Sequence, residues 1–126
     1  MTYHEALGLK QRKTEEEQIQ CALVERLRLQ APPEIIFYHC PNGGKRGKAT
    51  GGKLKAMGVL RGVPDLCFIL ADGSPAFLEL KRKGGTVDNA QNEFAEKCAF
   101  LGVEHAVAYG IDQAVSILTA WGCLPE

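Results

Sequence analysis

Three residues near the middle of the chain have the types and spacing to hold a cation against a phosphate. Glu79 and Lys81 lie two apart in the stretch FLELK at 77–81. A strand puts both on one face and Leu78 and Leu80 on the other. A charge in the middle of a short apolar strand costs several kcal/mol unless it is paired or metal-bound. Asp65 begins the preceding apolar run, DLCFIL at 65–70, and the turn signal ADGS separates that run from AFLEL at 76–80. The two runs read as an antiparallel hairpin. The midpoint between Asp65 and Glu79 is residue 72. A three-residue loop, Ala71-Asp72-Gly73 with Gly73 left-handed, would set 65 opposite 79. A two-residue turn would pair 65 with 80 and put the carboxylates on opposite faces. A site at these residues therefore predicts an odd loop.

Two carboxylates a few ångströms apart repel unless a cation sits between them. Their hard oxygens suit Mg²⁺ or Mn²⁺. A lysine two residues along the strand would stand beside that metal, where it can orient or deprotonate a water or stabilise charge on a phosphate. Taken singly, an Asp after Pro is usually a cap and an ELK triplet is usually a strand edge. Taken together beside a cationic loop, they point to metal-dependent phosphodiester hydrolysis.

The elements that must position these residues are readable on either side. Thr14 is a good N-cap with Glu15, Glu16 and Glu17 in the first turn, and Thr14 and Glu17 have capping-box spacing. The apolar stripe Ile19, Cys21, Leu23, Val24, Leu27 continues a helix that Pro32-Pro33 ends. Residues 34–40 read as a strand. Residues 41–61, rich in glycine and basic side chains, read as a long loop with a short helical piece at 53–57. Thr86 is expected to cap a helix over 87–101 with Ala90, Phe94, Cys98 and Leu101 inward, stopped by Gly102. A strand at 103–109 follows, then a helix from an Asp112 cap through Trp121, closed by Gly122. The order α-β-β-β-α-β-α implies an α/β fold, a mixed sheet flanked by helices. Residues 1–13 read as an arm and 14–126 as one domain.

Composition narrows the class. The chain has 126 residues, 45% of them apolar and 24% charged, which fits one globular domain and excludes a disordered chain. No apolar run approaches a membrane span, and Met1 to Lys13 lacks the apolar core of a secretory signal. Five cysteines without a CxxC pair argue against a zinc site or a disulfide scaffold. His39 beside Cys40 could be half a metal site, although strand-end residues are the plainer reading. The formal net charge of zero conceals an asymmetry. Residues 35–64 carry six basic side chains and no acidic one, whereas 84–126 carry one basic and six acidic. Such a block fits a polyanion partner or, more plainly, a solvated loop. In the first reading Asn42, Lys45, Arg46, Lys48, Lys53, Lys55 and Arg61 would contact phosphates, which positions a nucleic acid without reading its sequence. No base-reading module is recognisable. Tyr38, Phe77 and Tyr109 could stack on bases, with core packing the plainer alternative.

Five pieces in order carry a resemblance. They are Glu17-x-x-Gln20, Pro41-Asn42-Gly43-Gly44, Gly62-Val63-Pro64-Asp65-Leu66, Phe77-Leu78-Glu79-Leu80-Lys81 and Gln91. Together, over about residues 16–110, they resemble the PD-(D/E)xK nucleases and, among those, the VRR-NUC domain. The resemblance implies a restriction-endonuclease-like core (α-β-β-β-α-β) and a Mg²⁺- or Mn²⁺-dependent endodeoxyribonuclease. By the resemblance, Asp65, Glu79 and the backbone carbonyl of Leu80 hold metal, and Lys81 is the catalytic lysine. Glu17 serves metal from the first helix, with Glu16 as the alternative, and Gln91 supports Lys81 or a phosphate. Stand-alone members of this branch occur in phages and bacteria. They imply a homodimer acting on branched DNA such as Holliday junctions, in repair or recombination, in a bacterial or phage-infected cytoplasm without membrane attachment. The last helix, with Val115, Ile117, Leu118 and Trp121, could be the dimer face or merely cover the sheet. Three rivals stand beside this reading. One is a flap-cutting, nicking or restriction-like nuclease of the same superfamily. The second is a DNA-binding protein that keeps the fold without the chemistry. The third is a small-molecule- or protein-binding α/β domain whose basic loop is incidental.

Overall fold

The computed structural model describes residues 13–41 and 48–126. Among them the elements are α1 (Glu15–Gln30), β1 (Ile36–His39), α2 (Lys48–Ala56), β2 (Leu66–Ile69), β3 (Pro75–Lys81), α3 (Asn89–Leu101), β4 (Glu104–Tyr109) and α4 (Ile111–Ala120). The strands form a mixed sheet in the order β1-β2-β3-β4. The first two pairings are antiparallel, and β3 pairs with β4 in parallel through the α3 crossover. This is the α/β class expected, with the short helical piece of the basic segment grown into a full helix, α2. Residues 1–12 of the expected arm lie outside the described residues, as do 42–47 of the expected loop.

The alternation of β3 divides the molecule into layers. Leu78 and Leu80 join Leu66, Phe68, Ala76 and Ala108 on the face that α1 and α4 cover with Leu23, Leu27, Ala114 and Leu118, all buried. Burying each of the large side chains is worth about 1.5–3 kcal/mol, so this face is the core. Phe77 projects to the other face and meets Phe94 of α3 edge-on at 5.0 Å, and Phe94 lies 6.1 Å from the His105 ring. The last helix covers its own sheet: Leu118 is fully buried and Val115, Ile117 and Trp121 pack against the core.

The hairpin has the odd loop. Leu66 pairs with Leu78 and Ile69 with Pro75, a register that continues by one step to set Asp65 opposite Glu79. Leu70 and Ser74 close the loop, with the Leu70 N–H donating to the Ser74 carbonyl at 2.8 Å and Gly73 N–H to the Leu70 carbonyl at 2.8 Å. Gly73 has φ +87°, and Asp72 accepts from the Ser74 N–H and hydroxyl at 2.9 and 2.6 Å. The loop is Ala71-Asp72-Gly73, as the placement of both carboxylates on one face requires.

Elsewhere local chemistry moves the boundaries. Thr14 caps α1 in a complete capping box with Glu17. For α3 the cap is Asp88, not Thr86: Asp88 accepts from the Gln91 N–H, and the Gln91 side chain accepts from the Asp88 N–H. An acid two residues further on, with Gln at N3, completes a reciprocal box that Thr86 cannot. Gly102 ends the helix at φ 73°, as expected, but Leu101 is 66% exposed rather than inward. Gly110, not Asp112, is the N-cap of α4 and makes no side-chain bond there, which leaves Asp112 in the first turn. The helix in the basic segment begins at Lys48, earlier than 53, carrying Gly51 and Gly52 in its interior. Tyr38 is 53% exposed, so core packing does not describe it. The cysteines are all free, with Cys67, Cys98 and Cys123 buried.

Candidate functional site

A cavity of about 550 Å³ opens where the end of β3 meets the start of β2, between the N-termini of α1 and α3. Asp65, Glu79, Lys81, Gln91, Glu16 and Glu17 line it, with Gln20, His39 and Arg61.

Glu79 is its centre. It is the buried charged residue among those described, at 4% exposure. Its strand position forces this: Leu78 and Leu80 anchor the opposite face in the core. One carboxylate oxygen, Oε1, accepts from Gln91 Nε2 at 3.0 Å and lies 3.9 Å from Lys81 Nζ. Burial raises its pKa to about 8, with further upward contributions from the Asp65 charge, the hydrogen bond shared with Asp65 and, least, Glu16; Lys81 opposes them. Without a cation, Glu79 therefore keeps its proton near neutrality. Asp65 is fixed from the backbone, because its Oδ2 accepts the Leu80 N–H at 2.8 Å.

The flanking elements contribute one hydrogen bond each. His39, at the end of β1, donates Nδ1–H to the Asp65 carbonyl at 2.6 Å, since a carbonyl can only accept. That contact fits the strand-end reading of His39. Gln91 bonds Glu79 rather than Lys81, while its Oε1 accepts the Asp88 N–H at 2.9 Å. The structure sets Glu16 rather than Glu17 against the strand: Glu16 Oε2 accepts the Arg82 N–H at 3.1 Å. Glu17 Oε2 accepts the Thr14 N–H at 3.2 Å, closing the capping box at the cavity rim. Asn42, Lys45 and Arg46 lie outside the described residues. Lys48 opens α2, Lys53 and Lys55 are exposed in its last turn, and Arg61 is at the cavity.

Gly62 is a contributor that spacing did not single out. It has φ +84°, and a Cβ there would stand 2.3 Å from the Ala90 carbonyl oxygen and 2.9 Å from the Gln91 nitrogen. The loop before Asp65 thus lies directly on the turn that carries Gln91. Only glycine permits both that conformation and that approach.

Among the described residues no three His, Cys, Asp or Glu side chains form a ready-made metal cluster. Asp65 and Glu79 are a pair. A pair suffices for Mg²⁺, which binds through one or two carboxylates and keeps water and phosphate oxygens for the rest of its shell. A carboxyl whose proton is held by burial and by its neighbour's charge is a site that a hard cation would relieve, so these residues fit the group.

No family model matches the sequence, and no curated protein matches it. Solved structures do. One, titled "VRR_NUC domain protein", aligns with a TM-score of 0.71 over 88% of this chain and 90% of its own, at 24% identity. A second, titled "VRR_NUC domain", aligns with a TM-score of 0.61 over 86% of this chain and 99% of its own, at 20% identity. Sequence identity that low over nearly the full length of both chains leaves the backbone as the shared property, and the chain has the fold of the VRR_NUC domain.

Proposed function

We propose that this chain is a nuclease of the PD-(D/E)xK type, a Mg²⁺- or Mn²⁺-dependent endonuclease acting on branched DNA as a homodimer. The observation that carries it is the buried Glu79 carboxylate, set beside Asp65 and Lys81 in one open cavity. A divalent cation bound at Asp65 and Glu79 would supply the Lewis acidity that polarises the scissile phosphate and lowers the pKa of water. The chain's own groups do the rest. Lys81, held near Glu79 Oε1, donates to a phosphate oxygen or helps deprotonate the attacking water. Gln91 keeps the Glu79 carboxylate oriented, and the Leu80 N–H does the same for Asp65. Glu16 serves as the acid from the first helix in place of Glu17, because its carboxylate reaches the end of β3. Arg61, Lys53 and Lys55 attract the phosphate backbone.

The choice of branched DNA rests on the resemblance and on symmetry. A four-way junction is two-fold symmetric, and paired nicks follow from a two-fold dimer. The test is cleavage of a labelled four-way junction, a flap and a linear duplex of one sequence, each with Mg²⁺, Mn²⁺ or EDTA, for wild type and Lys81→Ala. Metal-dependent paired cuts with 5′-phosphate ends on the junction, lost in Lys81→Ala, are expected. Cuts on flap or duplex alone would keep the chemistry and replace the substrate. Salt-sensitive binding without cutting in any metal would leave a DNA-binding protein of this fold.

A further inference from the structure

The cavity has an apolar lip that phosphodiester chemistry does not use. Val59 and Leu60 line it beside Asp65, Glu79 and Lys81. Leu60 is 59% exposed, Val59 39% and neighbouring Met57 72%. Single exposed apolar side chains are common, but three within four residues beside a functional cavity form a patch.

The patch sits on a defined turn. Gly58, at φ +99°, ends α2 in a Schellman motif: Val59 N–H donates to the Leu54 carbonyl and Gly58 N–H to that of Lys55, both at 3.0 Å. Further along the chain, Gly62 lies against Ala90. These contacts set the backbone on either side of the tip, and Met57 and Leu60 stand exposed there.

The surroundings select the occupant. Lys53, Lys55 and Arg61 flank the tip, and residues 35–64 contain no acid. A second copy apposed through this tip would bring like charge onto like charge. A polyanion with apolar faces satisfies both components, and nucleic acid has them: phosphates for the basic side chains, aromatic ring faces for Met and Leu. Stacked duplex hides those faces, and unpaired or unstacked positions expose them.

We propose that Met57 and Leu60 form an apolar wedge that packs on unstacked bases beside the phosphate held in the cavity. This rests on the nuclease reading, and it names the feature that would favour distorted or branched DNA over smooth duplex.

The test places 2-aminopurine, which brightens when unstacked, at the branch of a junction, at a flap base and within a linear duplex. Binding is followed in EDTA, so that cutting does not intervene. Wild type is expected to brighten the branch and flap probes severalfold. Met57→Ser/Leu60→Ser should abolish the rise and weaken branched-DNA binding on the order of tenfold, with thermal unfolding and salt dependence unchanged. Lys53→Gln/Lys55→Gln should do the reverse, flattening the salt dependence and keeping the rise. A rise that persists in the apolar variant overturns the wedge, as does wild type that binds and cuts without brightening the probes. Loss of self-association, or of binding to anionic vesicles, in the apolar variant with DNA binding intact would assign the tip to a second copy or to a membrane. Wild type that binds no DNA would sink the nuclease reading itself, and the wedge with it.

Discussion

The two charged regions of this chain are built in opposite ways. At the β2–β3 hairpin, Glu79 and Lys81 are fixed by a strand anchored in the core through its other face, Asp65 just before β2 is held by the Leu80 N–H, and Glu79 is all but withdrawn from solvent. In the segment from α2 to Arg61, Lys53 and Lys55 stand in solvent. The first arrangement gives up stability to hold a few atoms still, and the second gives up little and leaves charge at the surface. Removing a group from the hairpin should therefore alter rate, whereas removing one from the basic segment should alter affinity and its salt dependence.

Lys81→Ala probes that division hardest. Its cleavage rate should fall by about 10²–10⁴-fold, with DNA affinity in EDTA nearly unchanged; a comparable drop in affinity would erase the distinction. Gly62→Ala comes next. The new methyl meets the Ala90 carbonyl at 2.3 Å in a backbone conformation that alanine disfavours, so about 2 kcal/mol or more of stability should be lost. Thermal unfolding reads this, and an unchanged melting temperature would mean the loop does not rest on α3. Glu79→Gln sharpens the electrostatic side. The pKa of Glu79 is raised from 4.5 to about 8 in the folded protein, so folding takes up a proton between those values. The stability this confers is complete below about pH 4.5 and is lost as pH rises toward 8. Metal-free wild type should thus melt lower at pH 8 than at pH 5, and the glutamine variant should lack this component. Added Mg²⁺ should restore wild type at pH 8 and leave the variant unmoved. The smallest effect is expected of Lys53→Gln/Lys55→Gln. Its slope of log affinity against log salt should drop by about 1 for each phosphate no longer neutralised, at unchanged cleavage rate under saturating DNA.

The hairpin is legible in the sequence because parity decides it. A strand has period 2, so two carboxylates meant for one face demand an odd loop, and Gly73 is there to close it. The α1 start is legible for a similarly local reason. The choice between Glu16 and Glu17 is less open than three consecutive glutamates suggest: Thr14 and Glu17 have capping-box spacing, and a carboxylate engaged there is not the one that reaches the strand. Asp88-x-x-Gln91 carries the same signal for α3, and it outweighs Thr86 because both of its side chains take part. Gly62 and His39 are not readable as partners of the site. What each does depends on an element distant in sequence, Ala90 for one and the Asp65 carbonyl for the other, and no local pattern announces a tertiary contact. The exposure of Tyr38 belongs with these, since β1 is an edge strand whose uncovered face only the assembled sheet reveals.

Gln91 joins two things that are usually separate. One end of its amide closes the first turn of α3 and the other holds Glu79. When that turn frays, the carboxylate loses its orienting donor in the same event. Opening of that one helical turn therefore frees one side of the Glu79 carboxylate, while the Leu80 N–H keeps its hold on Asp65. Hydrogen exchange at the Gln91 backbone amide, which is bonded to Asp88, should report how long Glu79 stays oriented.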